Sequence, residues 1–469
     1  MRGSRGRLRY VSVVRLAFVA ALTMGTSALL ASTSGAAHAN GRFPETNALF
    51  FAPNDPNFVL LRTTFGEVVS RDRGKTWDWI CERSVGLAGV EDPMYSITPD
   101  GTLISTTFQG LSISSDRGCN FRFLGGDLKE LVFIDLTSRP STPGTVVAMA
   151  SSYAGTGDAM TTLFKSSLFE TKDEGKTFGV ITPSFDPSLL AETVDVTESD
   201  PDRIYVTAAR NPGTMVKASF LASRDHGKTF EEANFPLLGD ERAVFIAGVD
   251  PTNAERVYVR TSNATDKPSR LLVSDDAGKT FKVILTGNGA LAGFALSPDG
   301  KRVWAGGPKD GLRVASTSDF LWQKRSDIEI GCLKLASDGL WACSTEKSGF
   351  VAGLSTDDGA TFQPKLHFCD IRGPLECAEG STTRTSCALG DQNGNPPPWP
   401  AQRAVLGCGG PTLPDADAGP ANDAGLPPGV GDDGDGGGCA VRAPTASPFA
   451  ALLMAVAATI ALVRRRRHR

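Results

Sequence analysis

Ser223-Arg224-Asp225-His226-Gly227-Lys228-Thr229-Phe230 decides how this chain is read, because its spacing keeps returning. The same S/T-x-D-x-G-x-T-aromatic pattern spans Ser70 to Trp77, Thr171 to Phe178, Ser274 to Phe281 and Ser355 to Phe362. A sixth copy, Ser114 to Phe121, carries Cys119-Asn120 in place of Lys-Thr, and Ser316 to Trp322 keeps only a Ser, an Asp and an aromatic. The residue types belong to a hairpin corner. The Asp side chain accepts hydrogen bonds from the backbone of its own turn. The Gly takes a positive φ that a Cβ would resist. The Thr and the aromatic open a second strand and carry apolar surface inward. Apolar runs such as Phe220-Leu221-Ala222 flank the octapeptide, as in a hairpin. A single ligand site has little use for six equal copies. We therefore read Asp72, Gly74 and Trp77, Asp116, Gly118 and Phe121, and Asp173, Gly175 and Phe178 as structural corners. The same holds for Asp225, Gly227 and Phe230, for Asp276, Gly278 and Phe281, and for Asp357, Gly359 and Phe362.

A second repeat runs in phase with the first. An apolar strand, a Pro/Asp turn and another strand recur around Pro53 to Pro56, Pro99-Asp100, Pro140 to Pro143, Asp200-Pro201, Asp250-Pro251, Pro298-Asp299 and Asp338-Gly339. Each precedes a corner, so each unit is two hairpins, or four strands, at blade-sized spacings of roughly 40 to 57 residues. The prediction is an all-β chain forming a single β-propeller of seven four-stranded blades over residues 40–366, with six or eight blades as alternatives. Radial sheets leave only short, protected edges. A sandwich or β-helix would not explain two turns locked in phase. Ala48 to Phe51 either opens blade 1 or closes the ring.

The octapeptide resembles the Asp-box, or bacterial neuraminidase repeat, of sialidases, sortilin-type receptors, xyloglucanases and the photosystem II assembly factor. The resemblance covers about residues 44 to 366. It implies that each box lies on the outer hairpin of a blade, away from the face where ligands bind, and it implies architecture more than activity.

The two ends read differently. Residues 1–39 resemble a secretory signal peptide: Arg2, Arg5, Arg7, Arg9 and Arg15, an apolar run from Leu16 to Leu30, then Ala37-His38-Ala39 with cleavage after Ala39. An uncleaved anchor is the alternative. Residues 411–438 are Asp, Gly, Pro and Ala, too poor in apolar surface to fold, and read as an acidic linker. Its Asp-Gly texture lacks the twelve-position loop of a calcium site. Residues 439–469 hold Cys439, an apolar stretch over 443–463 long enough to cross a bilayer, and a terminal Arg cluster. This end resembles a MYXO-CTERM sorting tail, which implies processing near Cys439 and display at the surface of a Gram-negative cell. A plain C-terminal membrane anchor is the alternative.

Eight further cysteines suit an oxidising compartment. Cys332 and Cys343 flank a short turn and form the best single pair. Cys81 with Cys119 is a second candidate, and Cys369, Cys377, Cys387 and Cys408 form a C-terminal knot of unreadable pairing within residues 367–410. Zinc is disfavoured, because no C-x-x-C pair is present. No cofactor is predicted.

The net charge of −4 gives no electrostatic case for nucleic acid. A sialidase needs an arginine trio, a Tyr nucleophile assisted by Glu, and an Asp acid. Arg42 and Pro44 only faintly match the opening motif of that family, and Tyr205 and Tyr258 sit among β-branched residues as strand packing. His226 fills a variable corner slot and is expected to face solvent. Insertions at Ser151 to Met160 and Thr261 to Pro268 are the loops where recognition is expected, together with the mouth of the central channel. The reading is an exported, cell-surface-anchored, monomeric propeller that binds an extracellular protein or glycan without catalysis. The alternative is a glycoside hydrolase on the same scaffold.

Overall fold

The structure is a computed structural model that describes residues 43–87, 91–157, 162–210, 216–263, 267–389 and 398–409. The leader (1–39, with Ala39), the linker (411–438) and the tail (439–469, with Cys439 and the 443–463 stretch) lie outside the described residues. Among those described, no helix is long and apolar enough to cross a membrane.

Seven antiparallel four-stranded sheets follow one another along the chain, each ordered as in sequence from its innermost to its outermost strand. Blade 1 is Thr46–Phe51, Val59–Thr63, Gly66–Ser70 and Trp77–Ile80; blade 7 ends the series with Cys332–Ala336, Gly339–Cys343, Ala352–Ser355 and Gln363–Leu366. Consecutive innermost strands touch, and that of blade 7 touches that of blade 1, so the ring is closed. Thr46–Phe51 therefore opens blade 1.

The core lies between blades rather than within them, because each sheet has two apolar faces to cover. Seven apolar clusters fill the seven seams. Val147, Leu168, Val194 and Ile204 join blades 3 and 4, for example, and Val59, Trp77, Trp341 and Ala352 join blades 1 and 7.

The octapeptide corners explain the phase-locking of the two turns. In blade 1, Asp72 Oδ1 accepts from the backbone N–H of Lys75 (3.0 Å) and Thr76 (2.8 Å), and Oδ2 from the Thr76 hydroxyl at 2.7 Å. Ser70 Oγ accepts from the Gly74 N–H at 2.8 Å and donates to Asp72 at 2.8 Å. The copy with Cys119-Asn120 keeps the scheme, since the Asn120 amide donates to Asp116 Oδ2 at 2.7 Å where the others use Thr. These bonds hold the Asp173 and Asp225 carboxyls down at about 2, chiefly through the Thr177 and Thr229 hydroxyls.

The variable residue before the glycine does more than the sequence suggests. It is left-handed in every full corner: Arg73, Arg117, Glu174, His226, Ala277 and Asp358 have φ between 59° and 62°. In four blades its N–H bonds the first turn of its own blade, as Arg73 to Asn57 O and His226 to Asp202 O, both at 2.9 Å. Its side chain reaches the preceding blade: Arg117 to Asp55 at 2.6 Å, Asp358 to Arg302 at 2.8 Å, and Arg73 of blade 1 to Asp338 of blade 7 at 2.7 Å. His226 is no solvent-facing residue, because its Nε2 lies 2.9 Å from the buried Glu170 carboxylate of blade 3. The glycine presses on that same neighbour. A Cβ on Gly278 would stand 2.0 Å from the Phe220 ring, and one on Gly74 would stand 2.9 Å from Trp341.

The C-terminal segment straps the outside of blades 1 and 2. Ile371–Pro374 adds a fifth, parallel strand to the outer edge of blade 1, pairing Ile371 with Trp77 and Pro374 with Trp79. The disulfides correct the sequence reading here. Cys81 bonds Cys387 and Cys119 bonds Cys377, so Cys81 and Cys119 are not partners, and of the four C-terminal cysteines only Cys369 and Cys408 pair with each other. The reason is topological: Cys81 ends blade 1 and Cys119 sits in the blade 2 corner, and the returning segment crosses both. Cys332 bonds Cys343 across two strands of blade 7.

Candidate functional site

Antiparallel order puts the corners and the first turns at one end of the strands. The second turns and the connections between blades lie at the other. The six corner carboxylates thus sit on six separate blades and do not converge, whereas loops able to share a ligand gather at the opposite end.

Sequence reasoning expected recognition in two insertions there. A cleft of about 260 Å³ opens beside the one in blade 5, lined by Leu238, Asp240, Glu241, Asn263, Lys267 and Arg270. Its charges are already matched: Arg270 makes a bidentate pair with Glu241 (2.7 and 2.5 Å), and Lys267 lies 3.4 Å from Asp240. The insertion in blade 3 is mostly strand. Val146–Thr156 and Thr162–Thr171 pair out to Thr156 and Thr162, while the innermost strand accompanies them only to Ala150. The hairpin thus projects as a two-stranded ribbon, and a second cleft, of about 200 Å³, lies at its base beside Asp127, Lys165, Phe169 and Val180.

The ring interior gathers ionisable groups, crowded by protein, that the sequence did not single out. Asp135 lies on the innermost strand of blade 3 (Phe133–Ser138) and Asp195 on that of blade 4 (Leu189–Val196). Asp135 Oδ2 accepts from Val194 N–H at 2.8 Å. Burial nevertheless pushes its carboxyl up to about 7, with the Asp195 charge adding to the effect. Glu192, extruded at a bulge between Ala191 and Thr193, is pushed up to about 8 by burial alone. Lys334 of blade 7 is pushed down by burial, against the pull of Asp195. Glu192 and Asp195 are half-buried and Lys334 is exposed to the interior space, while protein on all sides crowds their charges, as befits a narrow channel. The inward bulge was the signal missed, since a strand pattern assigns alternate faces and does not foresee the extra residue.

Glu67, Tyr95 and Arg62 come together at the seam of blades 1 and 2. Arg62 stands cross-strand from Glu67 and donates to Asn47 Oδ1 (2.6 Å) and to the Asp92 and Pro93 carbonyls (3.0 Å each). Burial pushes Glu67 up to about 8, opposed by the Tyr95 hydroxyl and the Arg62 charge. Tyr95 is 3% exposed and packs edge-on against Phe50. A substrate has no path to this trio as it stands. Tyr205 and Tyr258 are fully buried in their strands. The exposed Tyr153 has its hydroxyl 3.0 Å from Thr156, not against a carboxylate. Arg42 lies outside the described residues. Among those described, no three His, Cys, Asp or Glu side chains gather as a metal site.

No protein-family model and no curated protein matches the chain. Solved structures similar to it include an ancestral GH74 enzyme (14% identity over 69% of this chain and 47% of that one, TM-score 0.49). They also include a GH74 enzyme of Niastella koreensis (17% identity, 69% and 53%, TM-score 0.44). A third is the GH74 xyloglucanase of Xanthomonas campestris (13% identity, 68% and 64%, TM-score 0.32). The chain spans about half the length of the first two.

Proposed function

We propose that this chain is an exported propeller of the Asp-box type, held at the surface of a Gram-negative cell by its C-terminal tail, and that it binds or scaffolds an extracellular partner without catalysis. One observation carries this reading: the six corner carboxylates sit on six separate blades and do not converge, and Glu67, the carboxylate beside the buried Tyr95, is walled into the blade 1–2 seam. A fold of this kind hosts many functions, so the argument rests on the site. The leader, linker and tail in the sequence support export and anchoring, and four disulfides suit that compartment.

The purified protein incubated with a panel of fluorogenic glycosides, sialosides and xyloglucan oligosaccharides included, is expected to show no turnover above buffer. Turnover removed by Glu67→Gln or Asp135→Asn would overturn the reading. Intact cells treated with protease should lose the 40–410 portion from their surface. The second reading, a glycoside hydrolase, is favoured by the Glu67–Tyr95 adjacency alone, and it requires the blade 1–2 seam to open.

A further inference from the structure

The outermost strand of a blade has an unpaired edge, and proteins guard such edges with charges, proline or a cover. Blade 1 is covered by Ile371–Pro374. Blade 2 ends in a strand of two residues, one of them Arg122. Blade 4 presents Glu231 and Glu232, and blade 6 Lys324 and Arg325. Blade 7 carries Pro364 and Lys365, and the Lys365 carbonyl accepts the Trp77 indole N–H of the next blade at 2.8 Å. Blade 5 begins with Lys282, and its Ile284 carbonyl accepts the Trp322 indole at 2.7 Å.

Blade 3 is guarded only at its far end, where the Thr182 hydroxyl donates to the Gly227 carbonyl of blade 4 at 2.6 Å and Pro183 follows; Gly179, Val180 and Ile181 have none of these devices. Its outermost strand is Gly179–Thr182, Gly-Val-Ile-Thr, uncharged and without proline. The aromatic at the equivalent place in the next blade is Phe230, which has no N–H to cap a carbonyl. Val180 is 53% exposed. Beside this strand lies the 200 Å³ cleft, with Phe169 in its wall and the exposed side chains of Lys165 and Asp127 at its rim. Neither of these two charges meets an ion-pair or hydrogen-bond partner among the described residues.

We propose that the outer edge of blade 3, Gly179–Thr182, docks an extended segment of a partner protein, which pairs along the strand and seats one aliphatic side chain in the cleft between Lys165 and Asp127. Strand addition supplies affinity through main-chain hydrogen bonds, and the pocket for an alternate side chain supplies specificity. The molecule already performs this addition once, on blade 1, with its own Ile371–Pro374. The cleft's size admits one side chain and no folded domain, and the two rim charges select a segment with an acidic residue on the Lys165 side and a basic one on the Asp127 side. The proposal rests on the binding-module reading and names its partner class.

The test is a displayed library of twelve-residue peptides panned against the whole protein, followed by fluorescence anisotropy of the enriched peptides. Enrichment of an aliphatic residue flanked by opposite charges is expected. Val180→Lys should weaken binding at least tenfold, and Lys165→Glu should move the preference toward a basic flank. Val283→Lys, on the outer strand of blade 5, should leave binding unchanged. Val180 is solvent-exposed, so an unaltered urea midpoint for its variant shows that folding is intact. Peptides that bind Val180→Lys as tightly as the parent would overturn the edge while leaving the module reading standing. A concentration-dependent dimer in sedimentation that Val180→Lys dissolves would instead assign the edge to a second copy, and would equally overturn the proposal.

Discussion

Removing the strap's two disulfides, singly and together, tests how the ring is held shut. Cys81–Cys387 closes a separation of 306 residues and Cys119–Cys377 one of 258. The second lies inside the first, so whichever bridge remains already closes most of the loop. On the chain-entropy model a further closure of roughly 48 residues then contributes about 4 kcal/mol, and loss of both bridges costs about 9–10 kcal/mol. We therefore expect C81A/C387A and C119A/C377A each to lower stability by about 4 kcal/mol, and the fourfold variant to lose more than the sum. Urea unfolding followed by tryptophan fluorescence is the assay, because Trp77, Trp79 and Trp341 are buried at the seam of blades 1 and 7 and Trp399 packs against them. Losses that add exactly as independent loops would refute the nesting argument. Single variants within about 0.5 kcal/mol of the parent would show that packing alone closes the seam.

Gly278→Ala forces a Cβ to within 2.0 Å of Phe220 at a φ of +86°, and should cost about 2–4 kcal/mol in the same urea assay, more than Gly349→Ala, which shares the backbone strain (φ +93°) but whose Cβ meets nothing. Arg73→Ala breaks the contact from blade 1 to Asp338 of blade 7. A double-mutant cycle with Asp338→Ala should give a coupling of about 1 kcal/mol that shrinks in high salt, because both partners are partly exposed. Stability should also depend on pH in two opposed windows. Glu67, Asp135 and Glu192 hold their protons in the fold up to about 8, 7 and 8, whereas unfolded carboxyls lose theirs near 4, so stability falls as pH rises from about 4 to 8. The corner carboxyls of Asp173, Asp225 and Asp357, held at about 2, contribute stability above about 4 that is lost as pH falls toward 2. Urea midpoints should peak near pH 4–5, and Glu67→Gln should flatten the alkaline limb; a profile that rises from pH 5 to 8 would contradict the burial of these acids.

The sequence by itself determined the blade and favoured seven of them, with six or eight left open until the ring closed in the structure. Asp225 and its equivalents need only backbone N–H and hydroxyl groups within four residues to satisfy them, and the Pro/Asp turns at a blade-sized spacing before them are likewise local. The variable slot was half-legible: spacing located Arg73 and His226, but not that the slot is left-handed and reaches the preceding blade. Tertiary structure alone decided the rest. Cys81 found Cys387 and not Cys119 because the chain returns across blade 1 only after seven blades have closed. Asp135 and Glu192 came to line one crowded interior because a ring brings together innermost strands far apart in sequence. The open stretch of Gly179–Thr182 became notable only when the six other edges could be seen covered, charged, short or capped. Short-range hydrogen bonding and periodic burial are written residue by residue, whereas closure, burial of charge and the exposure of an edge depend on which distant segments end up side by side.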